Sequence, residues 1–468
     1  MLIIISDLHL TDDSTGKSIS EGAFRIFRDR IGDMAFDASK RADGSYQPLE
    51  EFDIVLLGDV LDISRSTLWN REAPGDSGYV RPWHDLQSAT YIDKVDSIVD
   101  AILSENARSL RILRSIQKGI ITLPPPTPEG KVQFVSRNID APGRLPVKIN
   151  IHYMVGNHDW YLHLSGTGYE KIRQKINREM GLADSVGPYP HDPNESEGLQ
   201  KLFAEHGVFA RHGDIYDSIN YDANRGRDFP SLGDALLIEL FNPFPETVAD
   251  EFGDELPDDF YRHLRELGNT APITMAPVWI AGSMRKFGLD VAQREKINII
   301  WDRLVKRFLE SDYLEITDRK GVIDYVDAIH PILKLTSPLD IEQFSQAVLL
   351  LKKRLTTSEY SPSLLDALHE PAFIERQARY IVYGHTHHHR VTGLEAAEVD
   401  AQPFQQLYIN AGTWRPVYSL AEAHPKNMNF VSYKTMTMLA FYRPGERKGR
   451  PFETWSGTLG LNAAEAGI

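Results

Sequence analysis

Short apolar runs, each followed directly by polar residues, recur along this chain of 468 residues. Runs of β-forming residues bounded by glycine or polar residues are typical of buried strands. In α/β sheets, ligands gather at the carboxyl ends of strands, which is where the polar residues fall here. The pattern therefore predicts a sheet with chemically active side chains along one edge. The runs are residues 2–5 (LIII), 53–57 (DIVLL), 149–155 (INIHYMV), 207–210 (GVFA) and 379–383 (RYIVY).

Longer stretches with apolar residues at helical spacing separate these runs. Residues 88–118 are the longest such stretch, and the proline-rich residues at 123–128 end its pattern. Residues 168–180 and 196–205 show the same spacing. Strands alternating with helices indicate the α/β class.

Residues 246–375 follow a different pattern, because no short run with a polar tip occurs among them. The segment opens with an acidic stretch and continues with the periodicity of helices. We therefore predict a mostly helical insertion or cap at 246–375, between two parts of a core at 1–245 and 376–468. Its helices are expected at 257–268, 292–311, 319–334 and 339–356.

Composition and charge exclude several kinds of chemistry. The chain contains no cysteine, which rules out disulfides, thiolate metal sites and cysteine nucleophiles. Its formal net charge of −15 disfavours non-specific binding to nucleic acids, because an acidic surface repels phosphate backbones. We see no signal peptide and no apolar run long enough to cross a bilayer, so a cytoplasmic protein without a membrane span is expected.

The polar clusters behind the five runs combine aspartate, asparagine and histidine. Carboxylate, amide and imidazole groups together suit divalent Mn, Fe, Zn or Mg. Residues i and i+2 of a strand point the same way, so Asp7 with His9, and His385 with His387, are expected each to converge on one ion. A bridging aspartate would allow two ions. The clusters are Asp7-Leu8-His9, Gly58-Asp59, Gly156-Asn157-His158-Asp159, His212-Gly213-Asp214 and Gly384-His385-Thr386-His387.

The order of these motifs, D-x-H, G-D, G-N-H-D, H-G-D and G-H-x-H, resembles that of the calcineurin-like metallophosphoesterases. The resemblance covers roughly residues 1–245 and 376–445 and leaves out the helical insertion. It implies a four-layer αββα sandwich, in which two mixed β-sheets are flanked by helices. It also implies two divalent metal ions, most often Mn, with Fe, Zn, Ni or Mg as alternatives. Asp7, His9, Asp59 and His387 would hold one ion, and Asp59, Asn157, His212 and His385 the other.

The resemblance further implies a phosphoesterase that hydrolyses a phosphomonoester, phosphodiester or pyrophosphate by attack of a metal-bridging hydroxide. His158 would not bind metal but would stabilise charge or protonate the leaving oxygen. Asp159 would orient His158 or a side chain that supports a metal ligand, or it would serve as a structural turn residue. Arg65 and Arg415, with Trp414 beside them, are candidate substrate contacts. Histidines outside the motifs are expected to be structural or exposed, among them His152, His163, His206, His388 and His389.

Within the family, the stretches SDLHL, RHGD, GHTH and YINAGTW look most like the bacterial branch that includes UDP-2,3-diacylglucosamine hydrolase. The chain departs from that branch in its greater length and at 157–159, where Asn-His-Asp replaces a motif with arginine in the middle. The form GNHD also occurs in nucleases and cyclic-nucleotide phosphodiesterases of the family. We therefore expect a phosphate-containing substrate, either a small molecule or a nucleotide.

Two alternative functions stay open at this point. A metal-dependent nuclease would use the same residues, although the net charge disfavours it. A non-catalytic metal-binding scaffold would instead bind a protein partner through the helical insertion. The motifs themselves do not specify the physiological substrate, the native metal or the oligomeric state.

Overall fold

The structure is a computed structural model that describes residues 1–133, 135, 141–183, 186–270, 273–316, 362–399, 401–424 and 427–458. Within these residues the chain has a mixed α/β fold, and each run predicted to be a strand contains one. The strands are β1 (Leu2–Ile5), β2 (Glu51–Leu57), β3 (Thr122–Leu123), β4 (Leu145–Pro146), β5 (Lys148–Met154), β6 (Val208–Ala210), β7 (Tyr380–Tyr383), β8 (Arg390–Val399), β9 (Gln402–Asn410), β10 (Pro416–Leu420), β11 (Phe430–Phe441) and β12 (Phe452–Thr458).

Helices occupy the stretches with helical spacing. The predicted stretch 88–118 holds two helices with Asn106 at their junction, where its side-chain amide donates hydrogen bonds to the carbonyls of Thr11 and Ile102. The helices are α1 (Glu21–Ala38), α2 (Ala89–Glu105), α3 (Ala107–Gln117), α4 (Thr167–Met180), α5 (Glu197–His206), α6 (Leu232–Leu236), α7 (Pro243–Phe252), α8 (Asp258–Leu264), α9 (Ala276–Lys286), α10 (Val291–Leu309), α11 (Asp312–Ile316), α12 (Pro362–Ala367) and α13 (Pro371–Ile374).

Two mixed sheets bring the polar clusters together. The larger sheet has the order β10-β11-β1-β2-β5, and β12 also pairs with β11. In it β1, β2 and β5 are parallel neighbours, while β11 runs antiparallel to β1. The smaller sheet has the order β6-β7-β9-β8, with β6, β7 and β9 parallel. The carboxyl ends of β1, β2 and β5 therefore lie at one edge of their sheet, and those of β6 and β7 at one edge of theirs.

Both faces of the central strands are buried, which explains their uninterrupted apolar sequences. In β1, Leu2 and Ile4 belong to an apolar cluster that includes residues of β6, β7 and β9. Ile3 and Ile5 point the other way, into a cluster with residues of α1–α4. The outer face of the smaller sheet packs against residues of α12 and α13. Helices thus cover the outer face of each sheet.

The helices α6–α11 pack around an apolar cluster of their own, in which Trp279 and Trp301 are almost fully buried. A buried ion pair between Arg81 and Glu239 joins this cluster to the segment before α2. Trp83 also donates its indole N–H to Asp312, over 2.8 Å. These helices are therefore anchored to the rest of the protein by polar contacts as well as by packing.

The helical segment begins at Leu232 in the structure, ahead of the predicted boundary at 246. Two predicted helices, at 257–268 and 292–311, correspond to α8 and α10. Those at 319–334 and 339–356 lie outside the described residues, and the separate insertion at 246–375 stays a prediction. Every helix in the described ranges is too short or too polar to span a bilayer.

Candidate metal centre

Side chains from the five motifs meet where the strands of the two sheets end. Three groups of imidazole nitrogens and carboxylate oxygens form there, and within each group the atoms lie within 4.8 Å of one another. The groups share His9 and Asp59, so they form one continuous centre. They are Asp7 with His9 and His387, Asp59 with His212 and His385, and His9 with Asp59 and His158.

The first group joins residues that are 378 positions apart in the sequence. Nε2 of His9 lies 3.0 Å from Nε2 of His387. Oδ1 of Asp7 lies 3.2 Å from Nε2 of His387 and 3.7 Å from Nε2 of His9. Two imidazole nitrogens and one carboxylate oxygen therefore face one small volume, as ligands of a single divalent ion do.

The second group lies beside the first, and Asp59 stands between them. Oδ2 of Asp59 is 3.2 Å from Nε2 of His212 and 3.8 Å from Nε2 of His9. Asn157 adds an amide oxygen, since its Oδ1 lies 3.0 Å from Nδ1 of His385. The structure thus brings together all seven residues predicted as metal ligands.

The backbone is left-handed at five of the seven predicted ligand positions, although none of these residues is glycine. This conformation costs an L-residue roughly 1–2 kcal/mol, and it is concentrated at functional sites. Asp7 and His9 lie in one group, as the argument from positions i and i+2 predicts. His385 and His387 lie in different groups, so for this pair the prediction is wrong; both pairs lie beyond the ends of their strands. The φ angles are 54° at Asp7, 47° at His9, 52° at Asp59, 66° at His385 and 62° at His387.

Two glycines allow the loops to approach one another closely. Gly58 has a φ of 79°, and a Cβ atom placed there would lie 2.5 Å from Nδ1 of His212. A Cβ on Gly156 would lie 2.6 Å from Cδ2 of the same imidazole and would also clash with Asp59. Side chains larger than hydrogen at these two positions would thus displace predicted ligands.

Asp62 orients two histidines of the centre and was not among the predicted site residues. Its Oδ2 lies 2.9 Å from Nδ1 of His9, and its Oδ1 lies 2.6 Å from Nδ1 of His158. Each histidine therefore presents Nε2 to the centre. The sequence feature that could have pointed to Asp62 is its position as the second aspartate of GDVLD, three residues after Asp59.

Two further contacts orient ligands of the second group. Nδ1 of His212 lies 3.0 Å from the carbonyl oxygen of Leu57, which leaves Nε2 facing Asp59. Oδ2 of Asp217 lies 3.1 Å from Nε2 of His385. Asp217 was also missed, because it lies three residues beyond its motif with no distinctive spacing.

The carboxylates around His158 favour its protonated form. Burial opposes its charge, but the carboxylates of Asp62 and Asp59 outweigh burial and raise the pKa of His158 to about 9.

Asp159 does not orient His158, because Asp62 does so. It accepts hydrogen bonds from the backbone N–H groups of Val60 and Gly156, and from the hydroxyl of Tyr153. Asp159 therefore has the alternative role predicted for it, that of a structural turn residue.

The donor set fits divalent cations. Among the described residues, Oδ1 of Asp7 and Nε2 of His212 are buried polar atoms without a hydrogen-bond partner, and both face the ligand groups. Burial opposes ionisation of Asp7, yet His212, His387 and His9 hold its pKa well below the ordinary value. The centre therefore offers ionised carboxylates together with imidazoles, a combination suited to Mn, Fe or Zn.

The three residues predicted to contact substrate lie deeper than expected. The side chain of Trp414 is buried between Phe24 and Phe27, and its indole N–H donates to the carbonyl of Thr437. This packing leaves Trp414 no surface with which to contact a substrate.

Arg65 and Arg415 are also buried. Their NH1 atoms lie 3.5 Å and 3.7 Å from Oδ2 of Asp62. Arg65 also donates to Asn269, and Arg415 to the carbonyl of Gly268. In this structure both guanidinium groups therefore balance the charge of Asp62 rather than standing free for a phosphate.

Replacing Asp62 with asparagine is expected to weaken metal binding by about 10- to 100-fold, because two imidazoles lose the carboxylate that orients them. The pKa of His158 should also fall from about 9 toward its ordinary value. Histidine NMR titration of the metal-free protein would measure it. Asp53→Asn is a matched control, because Asp53 makes the same kind of contact to His152, over 2.9 Å. An unchanged pKa of His158 would contradict the role of Asp62.

Comparisons with known proteins do not identify the chain. A scan against models of protein families finds no match. A search of curated proteins finds no relative either. Membership of the metallophosphoesterases therefore stays a prediction from the five motifs, and the function must be argued from the geometry of the centre.

Proposed function

We propose that this protein is a dinuclear metal-dependent phosphoesterase of the calcineurin-like type, acting on a phosphomonoester, phosphodiester or pyrophosphate. The observation that carries this proposal is the position of Asp59. Its Oδ2 faces an imidazole of each ligand group, His212 on one side and His9 on the other. A carboxylate shared in this way suits two cations about 3.5–4 Å apart.

The remaining ligands divide between the two ions. When bound, divalent cations in such a pair polarise phosphoryl oxygens and make water a stronger nucleophile at neutral pH. Mn is the first candidate, because the donors are a mixture of imidazole nitrogens and carboxylate or amide oxygens. Asp7, His9 and His387 would hold one ion, Asn157, His212 and His385 would hold the other, and Asp59 would bridge them.

His158 is proposed as the general acid. Its Nδ1 is held by Asp62, and its Nε2 lies 3.9 Å from Oδ2 of Asp59, which directs that nitrogen toward the ligand groups. With a pKa of about 9, the imidazole is protonated at neutral pH and can donate its proton to the leaving oxygen. Its side chain is 14% exposed, so a substrate can reach it from solvent.

The fold is consistent with this proposal. Helices cover the outer faces of two mixed sheets, as they would in the αββα sandwich of the metallophosphoesterases. The five motifs follow strand ends, where α/β proteins place their ligands. We therefore propose the four-layer sandwich as the architecture of the core, with the metal centre at the edge where its sheets meet.

The test is hydrolysis of p-nitrophenyl phosphate and bis-p-nitrophenyl phosphate by protein stripped of metal and resupplied with Mn²⁺. We expect no turnover before Mn²⁺ is added and clear turnover afterwards. The ratio of the two rates separates a monoesterase from a diesterase. Single-stranded DNA as a third substrate tests the nuclease alternative.

His152→Ala is the matched control for this assay, since His152 pairs with Asp53 outside the metal centre and its loss should leave turnover unchanged. Two Mn ions bound per chain, with no hydrolysis of any phosphate ester, pyrophosphate or DNA, would instead support a non-catalytic scaffold. Turnover that is equal with and without metal would also refute the proposal.

A further inference from the structure

A second cluster of metal-binding side chains lies outside the candidate metal centre. His163, His191 and Glu195 each offer a ligand atom, and these atoms lie within 4.8 Å of one another. The sequence predicted a structural or exposed role for His163. We propose that these three residues bind one additional divalent transition-metal ion, for which Zn²⁺ is the best match.

The distances within the cluster are close to those of a tetrahedral zinc site. Nδ1 of His191 lies 2.9 Å from Oε1 of Glu195, and Nε2 of His163 lies 3.5 Å from Oε2 of the same carboxylate. Zinc ligands at about 2.0–2.1 Å in a tetrahedron are about 3.4 Å from one another. An ion can therefore enter with only small movements of the side chains.

Contacts outside the three ligands already orient them. Oδ1 of Asp228 lies 2.6 Å from Nδ1 of His163, which directs Nε2 of that histidine toward Glu195. Such a carboxylate behind a histidine is the usual partner of a metal ligand. Oε2 of Glu195 accepts hydrogen bonds from the backbone N–H groups of His191 and Asp192, at 2.9 Å and 3.4 Å. The carboxylate is thus fixed in place before any ion binds.

One ligand atom of the cluster makes no hydrogen bond. Among the described residues, Nδ1 of His191 is buried and makes no hydrogen bond, although Oε1 of Glu195 is close to it. Two imidazoles and one carboxylate form a ligand set that proteins use for zinc, with water at the fourth position. The alternative to a metal ion is one added proton on each imidazole, which would give two imidazolium–carboxylate ion pairs.

The proposed ion would join segments that support the other centre. His163 closes the turn after the third motif, and Asp228 belongs to the segment 225–231. Next to Asp228, Arg227 donates to the carbonyl of Gly156, over 3.2 Å, and pairs with Asp214. An ion in the cluster would therefore stiffen the loops that carry the third and fourth motifs, and would act as a structural metal.

Zinc stoichiometry tests this inference. Metal-stripped protein is dialysed against buffered Zn²⁺, and bound zinc is measured by mass spectrometry. We expect His191→Ala and Glu195→Gln each to bind one zinc fewer per chain than the unaltered protein, and His152→Ala to bind the same number. Glutamine keeps the oxygen that accepts the backbone hydrogen bonds of Glu195, so this variant should fold even where His191→Ala does not.

Two further measurements keep the result independent of the proposed function. The zinc ion lost in His191→Ala or Glu195→Gln should be additional to any zinc lost in Asp59→Asn, because the two centres share no ligand. Zn²⁺ should also raise the melting temperature of the Asp59→Asn protein, and this rise should disappear when Glu195→Gln is added. Equal zinc content in the cluster variants and the unaltered protein would overturn the inference and leave the imidazolium ion pairs as the explanation.

Discussion

Asp59→Asn is expected to lower kcat/KM for phosphate esters by about a thousandfold and to reduce the bound metal from two ions to one or none. Asparagine keeps the shape of the side chain and its Oδ1, which accepts the backbone N–H of His158 at 2.8 Å. What it removes is the negative charge shared by both ligand groups. Metal ions contribute several kcal/mol of charge stabilisation, and a loss of about 4 kcal/mol is about a thousandfold in rate.

The measurement combines metal content with steady-state kinetics on the better of the two aryl phosphates. Asp53 lies on β2, the strand that precedes Asp59. Asp53→Asn also removes one carboxylate charge and serves as the control. A melting temperature close to that of the unaltered protein would show that Asp59→Asn is folded. If Asp59→Asn kept two bound metal ions and an activity within tenfold of the unaltered protein, Asp59 would not be a bridging ligand.

Gly58→Ala is expected to lower the free energy of unfolding by about 2–5 kcal/mol. About 1–2 kcal/mol would come from the left-handed backbone at φ 79°, and about 1–3 kcal/mol from overpacking. The new methyl group would lie 2.5 Å from Nδ1 of His212 and 2.9 Å from the backbone nitrogen of Gly156. Since His212 is a predicted ligand, metal affinity should fall together with stability.

Gly44→Ala separates the two causes of this loss. Gly44 has a similar φ of 83°, but nothing lies within 4 Å of the position that its Cβ would take. Urea unfolding of the metal-free proteins should therefore show about 1–2 kcal/mol of destabilisation at Gly44 and the larger loss at Gly58. Equal losses at the two sites would mean that the loops around His212 yield to the added methyl group.

The strands and the polar residues that follow them could be predicted from the sequence, because a strand buried on both faces is an uninterrupted apolar run. Ile3 and Ile5 face one apolar cluster and Leu2 and Ile4 face another, so β1 must be apolar throughout. The predicted ligand Asp7 then follows two residues after the end of β1. Order along the chain and position after a strand end were enough to select all seven predicted ligands, whose side chains the structure brings together.

Asp62 could not be found in the same way, because its position depends on how two loops run after their strands end. Leu10 and Leu61 form an isolated parallel bridge, so the loops after β1 and β2 continue side by side. This pairing brings Asp62 next to His9. No periodicity in the sequence reports such a contact.

The burial of the three predicted substrate contacts could not be predicted for a related reason, since proximity to a motif says little about depth. Trp414 follows β9 and was expected near the substrate, yet Phe24 and Phe27 of α1 enclose its indole ring. Arg65 looked free in the sequence because its partner Asn269 is 204 residues away. Burial of this kind depends on packing between distant elements.

The position of β1 between β11 and β2 has a consequence for synthesis of the protein on the ribosome. Residues 2–5 leave the ribosome long before their partner on one side, residues 439–441, has been translated. Until then an apolar strand edge stays open, and such edges invite pairing with other chains. His9 is likewise translated long before His387, so the first ligand group is incomplete until His387 has been translated. Binding of the proposed metal ions should therefore be a late event of biogenesis, and nascent chains should depend on chaperones more than their final stability suggests.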